Sequence, residues 1–390
     1  MKSIEKRRIA LGSIFFFMGL CFASWASRIP EIQSKFDLSE GQLGTILLCL
    51  PIGYISGLPL AAWIVHRYGS QFVILLGGVI YALILVLIGL SPAIWVLTLV
   101  LIAFGMLGNV MNIALNTQAI DLENSMKKSI LASFHGLWSL AGFAGAGVGA
   151  AMIYLNISPA GHFAIVMGVS FLIITLAKPF VVKEENSSGA GGFILKKPDD
   201  LLLRVGLISF LGMMCEGCLF DWSGVYFKKV VEVSPEFVSV GYVVFMGAMA
   251  SGRFISDRLT LKFGKVQIIR FSGIMIFSGM ILSVVLPTLI FATLGFLFVG
   301  LGVAAIVPLS YSIAGRSKLY SPGTALALVS TIAFFGFLLG PPLIGFIADL
   351  FELKVSFALV ALNGLGIAFL ATYKKHVFFT DQHISTSIKL

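Results

Sequence analysis

Asn109, Asn112 and Asn116 stand inside a long apolar run, and so does His135 in the run that follows. At 100° per residue the three asparagines fall within about 60° of one another on one helix face, which Gly105 and Glu123 share. Carboxamides donate and accept hydrogen bonds, so such a stripe can hold a neutral polar solute. It can equally glue one membrane helix to another. His135 opens a second stripe with Ser139, Gly142, Ala146 and Gly149, small apart from the histidine and suited to close helix approach. Histidine exchanges protons near neutral pH, so His135 can relay a proton or simply bond Asn116 or a backbone carbonyl. Glu216 is the deepest carboxylate in the chain. A charge at that depth is costly unless paired or neutralised, which suits Glu216 to carrying a proton or binding substrate. A buried ion pair is the competing reading, and no lysine or arginine at similar depth stands out.

These side chains need elements that cross lipid. The chain has 390 residues, 58% of them hydrophobic and 12% charged, with a mean hydropathy of +1.00. A soluble surface needs more charge than that. Apolar runs of the roughly 20 residues that a spanning helix requires recur along nearly the whole length. They predict twelve helices, near 9–29, 42–65, 71–91, 93–119, 129–154, 160–181, 202–226, 237–257, 266–287, 290–315, 321–348 and 353–373. The start of the chain mimics a secretory signal, but its apolar stretch is long for one, and it reads as a retained first helix. Residues 183–200, rich in Gly, Ser and charge, read as a flexible linker. The expected organisation is a six-helix bundle over 1–182, the linker, a second six-helix bundle over 201–374, and a polar tail over 375–390.

Charge sets the expected orientation. With the N-terminus placed in the cytoplasm, all of the 27 lysines and arginines except Arg28, Lys35, Lys228, Lys229 and Lys354 fall on the cytoplasmic side. Both termini and the linker are then cytoplasmic. The net charge of +9 is accounted for by these loops, so a nucleic-acid partner is not expected. Near the outer ends of helices 1 and 7, Ser24-Trp25 parallels Asp221-Trp222. The tryptophans suit stacking on a substrate ring or anchoring at the interface. Arg28 and Asp221 suit an outer-gate salt bridge, or solvation without a fixed partner. Arg67 and Gly69 after helix 2 parallel Arg258 and Gly264 after helix 8. Two such halves with a central site between them describe a secondary transporter built on repeats.

Several segments resemble one branch of the major facilitator superfamily, the YbjJ-like bacterial inner-membrane transporters. They are SRIPEIQSKFDLSEGQLG (27–44), NIALNTQA (112–119), SFHGLWSLAGFAGAGVG (133–149), EGCLFDWSGVYF (216–227) and GRFISDRL (252–259). The fucose and other sugar permeases are more distantly similar. The resemblance implies an all-α membrane protein of twelve transmembrane helices in two pseudo-symmetric six-helix bundles. It also implies a bacterial inner-membrane location and a cytoplasmic gate of Arg67, Asp257 and Arg258, with Glu123 and Arg316 in the same layer. Two departures stand out. The loop after helix 2 reads His66-Arg67-Tyr68-Gly69-Ser70, without the superfamily's usual acidic residue. Asn112 replaces an Asp common in this branch and cannot carry its proton.

Other chemistries find no support in the sequence. No GxxxxGK[ST] loop occurs, so energy comes from an ion or solute gradient, or the carrier equilibrates its substrate. Metal-ligand spacing is absent, no cofactor is implied, and no catalytic constellation appears. Cys215 and Cys218 spell CxxC, but inside an apolar run with no second pair they read as buried thiols. Pro308, Pro341 and Pro342 break helix hydrogen bonding and supply kinks. The function expected is carriage of a small polar organic solute by a monomer in the lipid bilayer, with proton coupling through Glu216 and His135. Export of amphipathic drugs or metabolites is the alternative, although helix 5 lacks the proline typical of drug–proton exporters.

Overall fold

The structure, a computed structural model, describes residues 2–126, 130–182, 198–317, 319–320 and 322–372, apart from the side chains of residues 2, 3, 62, 124, 131, 132, 135, 257, 322 and 323. The linker expected at 183–200 lies outside the described residues over 183–197, and the tail at 375–390 lies outside them entirely. The chain forms α1 (Lys2–Ser27), α2 (Ile29–Lys35), α3 (Glu40–Leu90), α4 (Ile94–Met126), α5 (Leu131–Tyr154) and α6 (Pro159–Ala177). After the linker come α7 (Asp200–Lys229), α8 (Val240–Phe263), α9 (Lys265–Val285), α10 (Leu289–Ala314), α11 (Pro322–Leu350) and α12 (Leu353–Thr372). Among the described residues there is no strand, and twelve stretches are long and apolar enough to cross a membrane.

The count matches the twelve expected spans because α3 is two membrane helices joined at Gly69. Gly69 has φ 81° and ψ 155°, in the left-handed region that a side chain disfavours. Gly264, between α8 and α9, adopts φ 83° and ψ 152°. The parallel drawn between these positions in the two halves is therefore one of backbone geometry. The short helix α2 was not anticipated. Pro30 at its first turn needs no hydrogen-bond partner for a missing N–H.

Large apolar side chains such as Trp63, Trp95, Phe254 and Leu261 face outward, as a lipid-contacting surface requires. Below, the membrane face on which α1 begins is called proximal, and that on which it ends distal. Contacts group the chain into two compact units. The first gathers Met1–Gly192, Phe220–Met246 and Pro341–Leu353; the second gathers Phe193–Leu219, Gly247–Gly340 and Lys354–Leu390. The distal parts of α7, α8 and α11 thus pack with the first half of the chain.

Within the first unit, glycines set the helix spacing. A Cβ on Gly57 would come within 2.7 Å of the Met106 carbonyl, and one on Gly145 within 2.6 Å of the Ala23 Cβ. Such approaches let α3 lie on α4, and α5 on α1. The proximal side of this unit is tied by polar side chains. Arg7 donates to Gln118 at 2.9 Å and to Asp121 at 2.8 Å. Gln118 donates to Ser70 at 2.8 Å and to the Val182 carbonyl at 2.6 Å. Glu123 accepts from the Ile130 amide at 2.7 Å, capping the start of α5 with a negative charge at the positive helix end.

Candidate functional site

In the second unit, Glu216 on α7 is buried, with its side chain 4% exposed. Its partner is Arg253 on α8, whose terminal nitrogen lies 3.5 Å from the carboxylate and whose side chain is 25% exposed. This corrects the expectation that no cation reaches the depth of Glu216. Glu216 lies 16 residues (216 − 200) from the proximal end of α7 and Arg253 lies 10 (263 − 253) from that of α8. At 1.5 Å rise per residue the backbones differ in depth by about 9 Å. A helical side chain leans toward its own N-terminus, which for α8 is the distal end. The long arginine stem therefore spans the gap and brings the charge to the acid.

The pair is incompletely satisfied. At 3.5 Å it exceeds the usual range of a charge-assisted hydrogen bond. Among the described residues Glu216 Oε2 and Arg253 Nε have no hydrogen-bond partner, and Nη2, the guanidinium nitrogen nearest Glu216, donates to the Met249 sulfur at 3.7 Å. Tyr311 on α10 is close enough to feel the Glu216 charge, and its side chain bonds Ser330 on α11. Gly217 allows α7 to press on the α11 backbone at Phe337. The neighbouring thiols are buried: Cys215 faces the Val360 carbonyl at 3.9 Å, and neither Cys215 nor Cys218 is in a disulfide. Among the described residues no cluster of His, Cys, Asp and Glu could hold a metal ion.

The first unit carries a second set of polar groups toward the distal face. Trp222 is buried and donates its indole N–H to the Pro341 carbonyl at 2.8 Å, tying α7 to the Pro341-Pro342 step of α11. Trp25 is also buried, rather than interfacial. Asp221 is buried within Coulomb reach of Tyr242. Among the described residues Asp221 Oδ1, the Tyr242 hydroxyl, Ser24 Oγ and the Trp25 indole N–H have no hydrogen-bond partner. Beside them Phe220 packs on Tyr242 at 5.2 Å, on Phe22 at 5.3 Å and on Trp138 at 6.1 Å between ring centroids. This aromatic cluster joins α1, α5, α7 and α8. The sequence reading did not single out Trp138, Tyr242 or Arg253, although Trp138 and Arg253 fall within segments that carried the family resemblance.

Arg28 does not bridge to Asp221. Its guanidinium donates to His162 Nδ1 at 3.1 Å and to the Ile157 carbonyl at 2.8 Å, and pairs with Glu31. The arginine is fully buried and fastens the end of α1 to the turn before α6. The ties between first-half and second-half helices at the distal face are different ones. Lys229 pairs with Glu40 at 2.7 Å, and Lys228 donates to Ser34. Asp349 at the end of α11 accepts from the Gly41 amide at 3.2 Å, at the N-terminus of α3. Gly44 and Gly345 meet there with almost no space between them.

The asparagine stripe divides. Asn109 is buried and donates to the Tyr54 carbonyl of α3, so it holds two helices together. Asn112 and Asn116 are half-buried, and Asn116 donates to both the carbonyl and the side chain of Asn112 at 2.9 Å. Arg67 and Arg258 are exposed at helix ends on the proximal face. The side chains of His135 on α5 and Asp257 on α8 lie outside the described residues.

Twelve membrane-crossing helices, repeated turn geometry and a charged pair inside the membrane define a multi-pass membrane protein of the transporter class. The Major Facilitator Superfamily model matches residues 10–321, and the chain belongs to that family. An uncharacterized MFS-type transporter of Yersinia pestis is 32% identical, covering 91% of this chain and 92% of its own. An uncharacterized transporter of Sinorhizobium fredii is 30% identical over 95% and 98% of the two chains. Among solved structures, a bacterial homologue of the human lysosomal transporter Spinster, in an inward-facing and occupied conformation, has a TM-score of 0.75. It covers 93% of this chain and 95% of its own at 15% identity, which speaks for the fold alone. The protein is thus a membrane transport protein by family and fold.

Proposed function

We propose that this protein is a secondary active transporter that carries a small polar organic solute across the bacterial inner membrane by alternating access, coupled to protons at Glu216. The observation that carries this reading is the incompletely satisfied Glu216–Arg253 pair between two membrane helices. A buried pair with unused hydrogen-bonding capacity is a poor structural device, since burying two charges is repaid only when their remaining donors and acceptors are filled. It is a good exchange site, because solute, water or a proton can take up what is missing. The excess of Lys and Arg on the proximal side supports a cytoplasmic placement of both termini. The halves 1–182 and 201–374 are the moving bodies in this reading, working as a monomer, with 183–200 as their tether.

The distal ties then act as the outer gate. Opening that face requires Lys229 to leave Glu40, Asp349 to leave the start of α3, and Gly44 to part from Gly345. Arg67, Asp257 and Arg258 form the corresponding cytoplasmic gate in this proposal. The test is uptake into proteoliposomes under an imposed pH gradient, against a panel of sugars, polyols, carboxylates and nucleosides. Wild-type protein accumulates one class above its equilibrium level. Glu216→Gln exchanges that class without accumulating it. Accumulation by Glu216→Gln with an unchanged pH dependence would overturn the coupling role. Absence of exchange for every solute would overturn the transport reading.

A further inference from the structure

Arg253 is the residue that the exchange reading leaves underused. A guanidinium offers five N–H donors in a planar fork. Here its neighbours among the described residues are a methionine sulfur at 3.7 Å and a carboxylate at 3.5 Å. Its Nε has no hydrogen-bond partner among the described residues. The side chain keeps 25% of its surface open while Glu216 keeps only 4%. The open member of the pair is the cation, so an arriving solute meets positive charge first. A planar fork with free donors matches a carboxylate in two-point contact.

We propose that the transported solute is a small organic monocarboxylate and that Arg253 binds its carboxylate group in place of Glu216. This rests on the transport reading above and names its substrate class. Charge balance selects the monoanion. Arg253 carries one positive charge, already matched by one carboxylate. A second carboxylate is accommodated when Glu216 takes up a proton from the aqueous phase on the side from which the solute enters. One carboxylate anion and one proton then cross together, with no net charge moved. A phosphate dianion would leave an extra negative charge in a low-dielectric site, which is costly.

The groups around Glu216 allow this exchange. Arg253 faces it from α8 and Tyr311 from α10. The α11 helix contributes Ser330, bonded to Tyr311, and the Phe337 backbone against Gly217. From α12, Asn363 bonds the adjacent Cys215. Among these described side chains no second acid competes for the proton; the side chain of Asp257, one turn from Arg253 on α8, lies outside the described residues.

The experiment uses purified full-length protein and matched probes: gluconate with sorbitol, glucuronate with glucose, and lactate with propane-1,2-diol. Binding is read as a rise in melting temperature with ligand concentration. The proposal expects at least one carboxylate to stabilise the protein while its neutral partner does not. Arg253→Gln weakens that binding about ten- to hundred-fold, and Arg253→Lys restores part of it. In lightly buffered solution the wild type takes up about one proton per carboxylate bound. Glu216→Gln binds the carboxylate and takes up none. Should Arg253→Gln fail to fold, Arg253→Lys and Glu216→Gln still carry the comparison. Equal stabilisation by neutral partners, undiminished carboxylate binding in the arginine variants, or no carboxylate binding anywhere in the panel would each overturn it. Proton-coupled exchange of a neutral solute in vesicles would sink this assignment while leaving the transport reading intact.

Discussion

Gly44→Ala should loosen the closed distal face, and the structure sets the scale. A Cβ at Gly44 would lie 2.9 Å from Gly345 Cα and 3.0 Å from the Pro342 carbonyl oxygen. Both neighbours are backbone, so no flexible side chain can swing aside. Overpacking of this kind costs about 1–3 kcal/mol. The cost falls on the state in which α3 and α11 touch. A state in which they have parted escapes it, so the ratio of open to closed rises by about 5- to 150-fold. Labelling of an introduced cysteine by a membrane-impermeant thiol reagent reads this ratio. Ser24→Cys, on a background without the native cysteines, suits the purpose because Ser24 is fully buried near the distal end of α1. Gly44→Ala should raise its labelling rate from the distal side at least five-fold, with the protein still folded by melting and by gel filtration. An unchanged rate in a folded variant would refute the claim that the Gly44–Gly345 contact belongs to a gate.

Three further outcomes are expected. Trp222→Phe removes the indole's five-membered ring and leaves the Pro341 carbonyl without its donor; it should lower stability by about 1–3 kcal/mol, visible as a lower melting temperature. Asn109→Ala removes the bond to the Tyr54 carbonyl and should cost about 0.6–1.7 kcal/mol of stability while leaving solute affinity unchanged; a loss of affinity in a protein of normal stability would return Asn109 to the binding site. Glu40→Lys should speed labelling at the distal face modestly, since an ion pair this exposed contributes about 1 kcal/mol or less. Adding Lys229→Glu should reverse that effect, and a double variant no slower to label than the single one would refute the pairing.

The large-scale plan was legible because membrane physics is blunt. Apolar runs of the right length became helices almost where they were expected, and the glycine parallel at Gly69 and Gly264 proved to be a shared backbone geometry. The small-residue stripe of α5 also did what its composition suggested, with Gly142 leaving room for Met246 and Gly149 for Ser27. Side-chain partners were harder. Periodicity placed the asparagines on one face, but it could not tell that Asn109 meets the α3 backbone, because that depends on how closely the glycines let the helices approach. Arg253 sits inside an expected span, yet its sequence position suggests a shallower charge than its reach delivers. Arg28 takes neither the bridge to Asp221 nor the free solvation that its position allows, since Ile157 and His162 come near it when α6 folds back beside α1.

The account turns on Glu216 as the proton carrier of a solute exchange. The most direct measurement loads proteoliposomes with a fluorescent pH indicator and follows internal pH as the carboxylate that stabilises the purified protein is added outside. Wild-type protein should acidify the lumen as the anion enters, and Glu216→Gln should admit labelled anion without acidification. Equal acidification by both proteins, or anion entry into wild-type vesicles with no change in internal pH, would contradict it.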